Sequence, residues 1–134
     1  MDTILSNWNG YAVHGNVKEL DFIADSVGFI NLDEDDIISV LSSEGENWIA
    51  AGVGSDIDKA LSEAIANLPC KINNICNLLI EFICGIRQPK MKELSVVQAA
   101  LTDVNPDVKI TWGLTSDESL GETCKVILVA SAKS

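Results

Sequence analysis

Basic residues are scarce in this chain: nine Lys and Arg stand against 20 Asp and Glu, a formal net charge of −11. A surface of that sign repels nucleic-acid phosphate and anionic lipid, so neither nucleic acid nor membrane is an expected partner. Histidine is scarcer still, with His14 alone. A single imidazole makes no cluster, and no serine stands in a G-x-S-x-G turn, so Ser/His/Asp catalysis has no support; His14 reads as a bystander rather than a ligand or base. The four cysteines, Cys70, Cys76, Cys84 and Cys124, are irregularly spaced in apolar contexts and form no C-x-x-C pair. They read as buried reduced thiols, and no metal site is expected. Long apolar runs are missing too: Leu78 to Cys84 spans seven residues with Glu81 inside it, against about 20 needed to cross a bilayer. Met1-Asp2-Thr3 carries an acid where a signal peptide has its positive charges. The chain is expected to be soluble and cytoplasmic.

Phosphate cradles are also absent. Neither G-x-x-x-x-G-K-[ST] nor a strand-to-helix G-x-G-x-x-G occurs, so no cofactor is expected to bind this chain alone. Gly52-Val53-Gly54 comes nearest and reads as a tight strand-to-helix turn.

What is present suits one folded domain. The chain has 134 residues, 47% hydrophobic and 22% charged, far from the composition of disordered chains. Residues 1–15 mix Asn, Gly, Trp8 and Tyr11 without a period and read as an irregular N-terminal arm. Val17, Leu20, Phe22, Ile23 and Val27 recur at near-helical spacing and predict a helix from Asn16 to about Ser26. A short helix holding Ile37, Ile38, Val40 and Leu41 follows, opened by acids that favour the positive end of the helix dipole. Trp48 to Val53 predicts a strand covered on both faces. Asp56 then caps the clearest amphipathic helix, with Ile57, Ala60, Leu61, Ala64, Ile65 and Leu68 on one side, stopped by Pro69. Cys76 to Gly85 predicts a strand, Met91 to Val104 a helix, and Val108 to Thr115 and Cys124 to Ala130 two strands rich in β-branched residues. Interleaved strands and helices give an α/β (α+β) class, expected as a two-layer sandwich with helices packed on a mixed four-stranded sheet.

The one constellation with chemical possibilities is Asp33-Glu34-Asp35-Asp36. Four consecutive carboxylates could hold a hydrated cation or orient water. They equally suit a solvated first helical turn stabilised by the macrodipole. An EF-hand is excluded, because Ile38 stands where its obligatory glycine belongs. Asp33 and Asp36, three residues apart, share one helical face.

Here the sequence resembles a known family. Gly28-Phe29-Ile30-Asn31-Leu32-Asp33-Glu34-Asp35-Asp36-Ile37 is similar to the end of the central helix of FtsZ, the bacterial tubulin homologue, with its N-x-D-x-x-D synergy loop. Gly45-Glu46, Gly52-Val53-Gly54 and Asp58-Lys59-Ala60 resemble further landmarks in the same order. Trp112-Gly113, Asp117-Glu118-Ser119-Leu120-Gly121-Glu122 and the strand from Lys125 to Ser131 resemble the family's last hairpin. The resemblance covers residues 16–134 as one FtsZ C-terminal-like domain, with residues 16–30 as the remnant of the central helix. The family's GTPase domain has no counterpart in these residues, so neither strong GTP binding nor polymerisation alone is expected.

The resemblance implies a role exercised on a neighbour. In FtsZ the synergy loop docks on the nucleotide of the next subunit and completes its hydrolytic site. That would give Asn31 a contact at the phosphate end, and Asp33 and Asp36 the task of polarising the attacking water beside a partner's Mg²⁺ and GTP. The family usually places Phe-Ala between the two acids; Glu34-Asp35 here adds two negative charges to the partner-binding surface. The expected partner is an FtsZ or tubulin-like filament subunit, which the domain would cap or whose GTP hydrolysis it would modulate. The competing reading is a diverged structural or interaction domain that binds itself or another partner.

Trp48 and Trp112 read as packing residues, whereas Trp8 belongs to an arm that, if ordered, could cover the surface the family's GTPase domain occupies, where the apolar side of the first helix would otherwise be exposed. Dimerisation through that helix is the other way to cover it.

Overall fold

In a computed structural model, residues 5–26, 30–42, 45–69, 74–86 and 91–132 are described. Among the described residues, six strands and four α-helices follow in order: β1 (Leu5–Trp8), β2 (Tyr11–His14), α1 (Lys18–Asp25), α2 (Glu34–Val40), β3 (Glu46–Gly54), α3 (Ile57–Asn67), β4 (Ile75–Cys84), α4 (Met91–Val104), β5 (Lys109–Ser116) and β6 (Cys124–Ala132). One sheet collects all six strands in the order β1-β2-β3-β6-β4-β5. β6 lies antiparallel between β3 and β4, and β5 runs parallel to β4 at the edge. The α/β class and the four strands expected from residues 46–132 hold.

Two expectations are corrected. The first is the irregular arm, because residues 5–14 form an antiparallel hairpin that enlarges the sheet to six strands. Its turn is Asn9-Gly10, with φ of 50° and 90°, the left-handed pair that a two-residue turn matched to strand twist requires. β2 meets β3 in parallel at His14 and Trp48. Buried Asn47 secures this join: its Nδ2 donates to Ala12 O (3.1 Å) and Ser42 O (2.8 Å), and its Oδ1 accepts from Ser42 N–H (2.7 Å). A buried amide whose hydrogen-bonding groups are matched in this way is no liability.

The second correction is the two-layer sandwich, because helices cover both faces of the sheet. Alternate residues along a strand point to opposite faces. Leu78, Ile80 and Phe82 of β4 join Val126, Leu128 and Ala130 of β6 under α3 and α4, with Leu61, Leu94 and Leu101. Leu79, Ile83, Ile127 and Val129 face the other way, into a second core with Leu20, Ile23, Ile37 and Val40 from α1 and α2. That is why β4 and β6 read as nearly continuous apolar runs.

Gly52 and Gly54 settle the nearest thing to a phosphate loop. A Cβ on Gly52 would run into the Ala60 O and Ala64 N of α3, and one on Gly54 would lie 2.7 Å from Ala60 N. These glycines let α3 lie directly on β3, which is a packing role. On the opposite connection, Asp117 caps a 3₁₀ turn at Glu118–Leu120, accepting from the Ser119 hydroxyl (2.6 Å) and the Ser119 N–H (3.0 Å). The Ser119 hydroxyl and then its N–H hold the Asp117 carboxyl below the usual carboxylate range.

Gly28 and Cys70 lie outside the described residues. Cys84 and Cys124 are buried and Cys76 is half-buried. Among the described residues no helix is long and apolar enough to cross a membrane.

Candidate functional site

The acidic segment lies between two anchors. Upstream, Ile30 bridges the outer edge of β5: Ile30 N–H donates to Leu114 O (3.0 Å), and Leu114 N–H donates to Ile30 O (2.9 Å). Downstream, Ile37 and Val40 bury the inner side of α2. Leu32, 5% exposed, is driven into the α1 and α2 core between them. Alternation around this buried leucine leaves Asn31 and Asp33 facing outward, joined by exposed Glu34 and Asp35 and half-buried Asp36.

Asp33 and Asp36 are brought together, in a reciprocal capping box. Asp33 Oδ1 accepts from Asp36 N–H (3.0 Å), and Asp36 Oδ2 accepts from Asp33 N–H (2.9 Å). These bonds satisfy two of the donors that a helix start leaves orphaned, and they engage one oxygen of each carboxylate. The box fixes the spacing of both acids at the protein surface. Glu34 is held as well, since its Oε1 accepts from Asn9 Nδ2 in the hairpin turn (2.8 Å).

The N-terminal hairpin therefore belongs to the site's support. Trp8, 8% exposed, packs in the same core as Leu20 and Ile23 and donates from Nε1 to Asp21 Oδ1 on α1 (3.1 Å). Trp8 thus covers Leu20 and Ile23 on the apolar side of α1 from within the chain. On the other side of α1, Lys125 of β6 pairs with Glu19 at 2.9 Å. His14 is more engaged than a bystander: its Nε2 lies 3.0 Å from Glu46 Oε2, and its ring stacks on Trp48 at 6.0 Å. Trp112 meets Phe82 edge to face at 6.1 Å, a packing role.

Beneath the acidic segment lies a residue that sequence reasoning did not single out as a site. Glu81, at the centre of β4, is 0% exposed, and neither carboxylate oxygen has a hydrogen-bond partner. Its register neighbours are Gly113 on β5 and Ile127 on β6. Burial without compensation disfavours the charged form and pushes its pKa from the ordinary 4.5 up to about 8. The available signal was an acid inside an apolar run predicted as a strand.

Elsewhere, a cavity of about 380 Å³ opens beside Gly85, Ile86, Ser116 and Glu118. Among the described residues its lining carries one hydroxyl and one carboxylate. Among the described residues no group of three or more His, Cys, Asp or Glu is arranged to hold a metal.

Comparison with known proteins matches this architecture. FtsZ 1 of Methanocaldococcus jannaschii is 31% identical over 120 residues, covering 84% of this chain and 32% of that protein. FtsZ 1 of Thermococcus kodakarensis is 26% identical over 124 residues, covering 88% and 33%. Both are archaeal, so the likeness is not specifically bacterial. The structure of an empty FtsZ dimer from M. jannaschii superposes with a TM-score of 0.71 at 28% identity, over 87% of this chain and 35% of that one. No known family profile matches the chain. The chain spans about a third of the length of the relatives it matches, and its sheet, its helix order and these likenesses are those of an FtsZ-like C-terminal fragment.

Proposed function

We propose that this domain docks through Asn31, Asp33, Glu34, Asp35 and Asp36 on the nucleotide-bearing end of an FtsZ or tubulin-like filament subunit, and there caps the filament or alters its GTP hydrolysis. The observation that supports this reading is the anchoring of the acidic segment. The β5 bridge, the buried Leu32 and the capping box hold outward-facing acids in one arrangement, so little ordering entropy remains to be lost on docking. Phosphoryl transfer is promoted by positioned water and managed charge. Asp33 and Asp36 would supply positioning of that kind in trans, with Asn31 at the phosphate end. GTP and Mg²⁺ would be met only on the partner. The four acids suit approach to a cation and oppose approach to bare polyphosphate, so a divalent ion on the partner's nucleotide is part of the proposal. A cytoplasmic location goes with such a partner.

A second reading rests on the same capping box. Because Asp33 and Asp36 each stabilise the start of α2, their presence is already explained by folding. On that reading the domain is a structural or interaction module without a role in hydrolysis.

Titrating this domain into an FtsZ from the same source, with GTP turnover and pelleted polymer as readouts, separates the two. The docking reading expects a change at substoichiometric ratios that is lost in Asp33→Asn, which keeps a capping side chain and removes the charge. An unchanged filament at excess domain, or an undiminished effect of Asp33→Asn, leaves the structural reading.

A further inference from the structure

The molecule contains a buried carboxyl group directly under the docking segment, and nothing in the preceding reading uses it. Glu81 is wholly enclosed, and both its oxygens lack partners. Its position relative to the segment follows from Gly113. A Cβ placed on Gly113 would stand 2.9 Å from Glu81 Oε2, 2.7 Å from Leu32 Cγ and 2.9 Å from Leu32 Cδ1. The carboxyl and the leucine that seats the acidic segment therefore converge on one point, in the space left by the missing side chain of Gly113. Next along β5, Leu114 carries the two backbone hydrogen bonds to Ile30.

We propose that Glu81 is a proton-operated latch for residues 30–33: while the carboxyl is protonated, Leu32 stays seated over it and Ile30 stays paired with Leu114, and loss of the proton drives the segment off β5 so that the charge can reach water.

The direction of release follows from what surrounds the group. Along β4 it is flanked by Leu79 and Ile83, and on the β6 side by Ile127, all at 0–1% exposure and all within the sheet. Leu32 is the neighbour that lies outside the sheet, in the connection between Ile30 and α2. Among the described residues no charged group relieves the burial, and desolvation is what raises the Glu81 pKa. Lys125 of β6 is engaged by Glu19 of α1. Asp21 of α1 accepts from Trp8. Asp33 and Asp36 of α2 are occupied with their capping box, Glu34 with Asn9, and Lys109 stands exposed at the start of β5. The remaining charged residues of the two helices, Lys18 and Asp25 of α1 and Asp35 of α2, are not among the causes of the Glu81 shift, which is desolvation.

The linkage has a defined sign and window. The closed form holds its proton up to about pH 8, whereas a hydrated carboxyl releases it near 4.5. Between those values the closed form binds one proton more than the open form. The opening constant therefore rises with pH, up to tenfold per unit, and levels off above about 8.

Amide hydrogen exchange on the whole chain, corrected for the intrinsic pH dependence of exchange, reads this constant at Ile30 N–H and Leu114 N–H. The expected result is a rise between about pH 4.5 and 8 that is insensitive to low urea, with no such rise in Glu81→Gln. The proposal is overturned by a flat profile in the native sequence, by an equal rise in Glu81→Gln, or by Ile30 and Leu114 opening only in step with Ile127 and Val129 at the centre of the sheet. A second readout needs no variant: the ¹³C shift of the Glu81 carboxyl must titrate well above the usual glutamate range, and titration near 4.5 overturns the latch as well. The latch concerns this chain's own loop, so a filament assay that fails does not refute it.

Discussion

Asp33 and Asp36 accept each other's backbone N–H, at 3.0 and 2.9 Å, and so close the first turn of α2 from both sides. The acids that the family resemblance assigns to a partner's nucleotide are also the acids that begin this helix. Asp33→Ala removes the N-cap acceptor and should lower stability by about 1 kcal/mol, whereas Asp33→Asn should cost only a fraction of that. Urea midpoints of the two variants check the expectation. A cost as large for Asn as for Ala would mean that charge, rather than the cap, is what α2 requires.

Trp8 ties the hairpin to α1. Its ring is buried with Leu20 and Ile23, and its Nε1 donates to Asp21. Trp8→Ala should destabilise the domain by about 3 kcal/mol or more, and Trp8→Phe, which keeps bulk but loses the hydrogen bond, by about 1 kcal/mol. If α1 loses its cover, Trp8→Ala should also self-associate on a sizing column, where the native sequence should elute as a monomer.

Gly52 is where α3 touches β3. Because an added methyl would meet backbone atoms of Ala60 and Ala64, which cannot rotate away, Gly52→Ala should cost about 1–3 kcal/mol or more. Thermal unfolding monitored by circular dichroism would show it. An unchanged midpoint would mean that α3 shifts freely on the sheet.

Glu81 should leave a mark on whole-domain stability too. The native state keeps a proton that the unfolded chain releases above about 4.5, so stability should decline as pH rises from there to about 8, and no further on this account. Glu81→Gln should lose that decline. Urea unfolding at pH 5, 6.5 and 8, as about evenly spaced points across the window, compares the two slopes. Parallel slopes would mean that Glu81 is already hydrated in the folded protein.

Much of this architecture is legible in order along the chain. The apolar stripe from Ile57 to Leu68, with Asp56 before it and Pro69 after it, specifies α3, because local period and capping chemistry suffice there. β4 and β6 are equally plain, since a strand covered on both faces must be apolar at nearly every position. The hairpin escaped because its strands are four residues each and carry Ser6, Asn7 and His14 among their apolar residues. Its legible signal was Asn9-Gly10, the dipeptide that favours a tight hairpin turn.

By itself, the sequence determined the acidic sign of the surface, the absence of a phosphate loop, the order of elements from α1 to β6 and the position of the acidic turn. All of these follow from residue type and local spacing. Only the tertiary structure decided that helices cover both faces, that Trp8 closes over α1, that Asn9 reaches Glu34 and that Glu81 lies unpaired beneath Leu32. Those are relations between residues far apart in the chain, set by sheet order and register, and no local pattern encodes which distant side chain will come to lie above a given one.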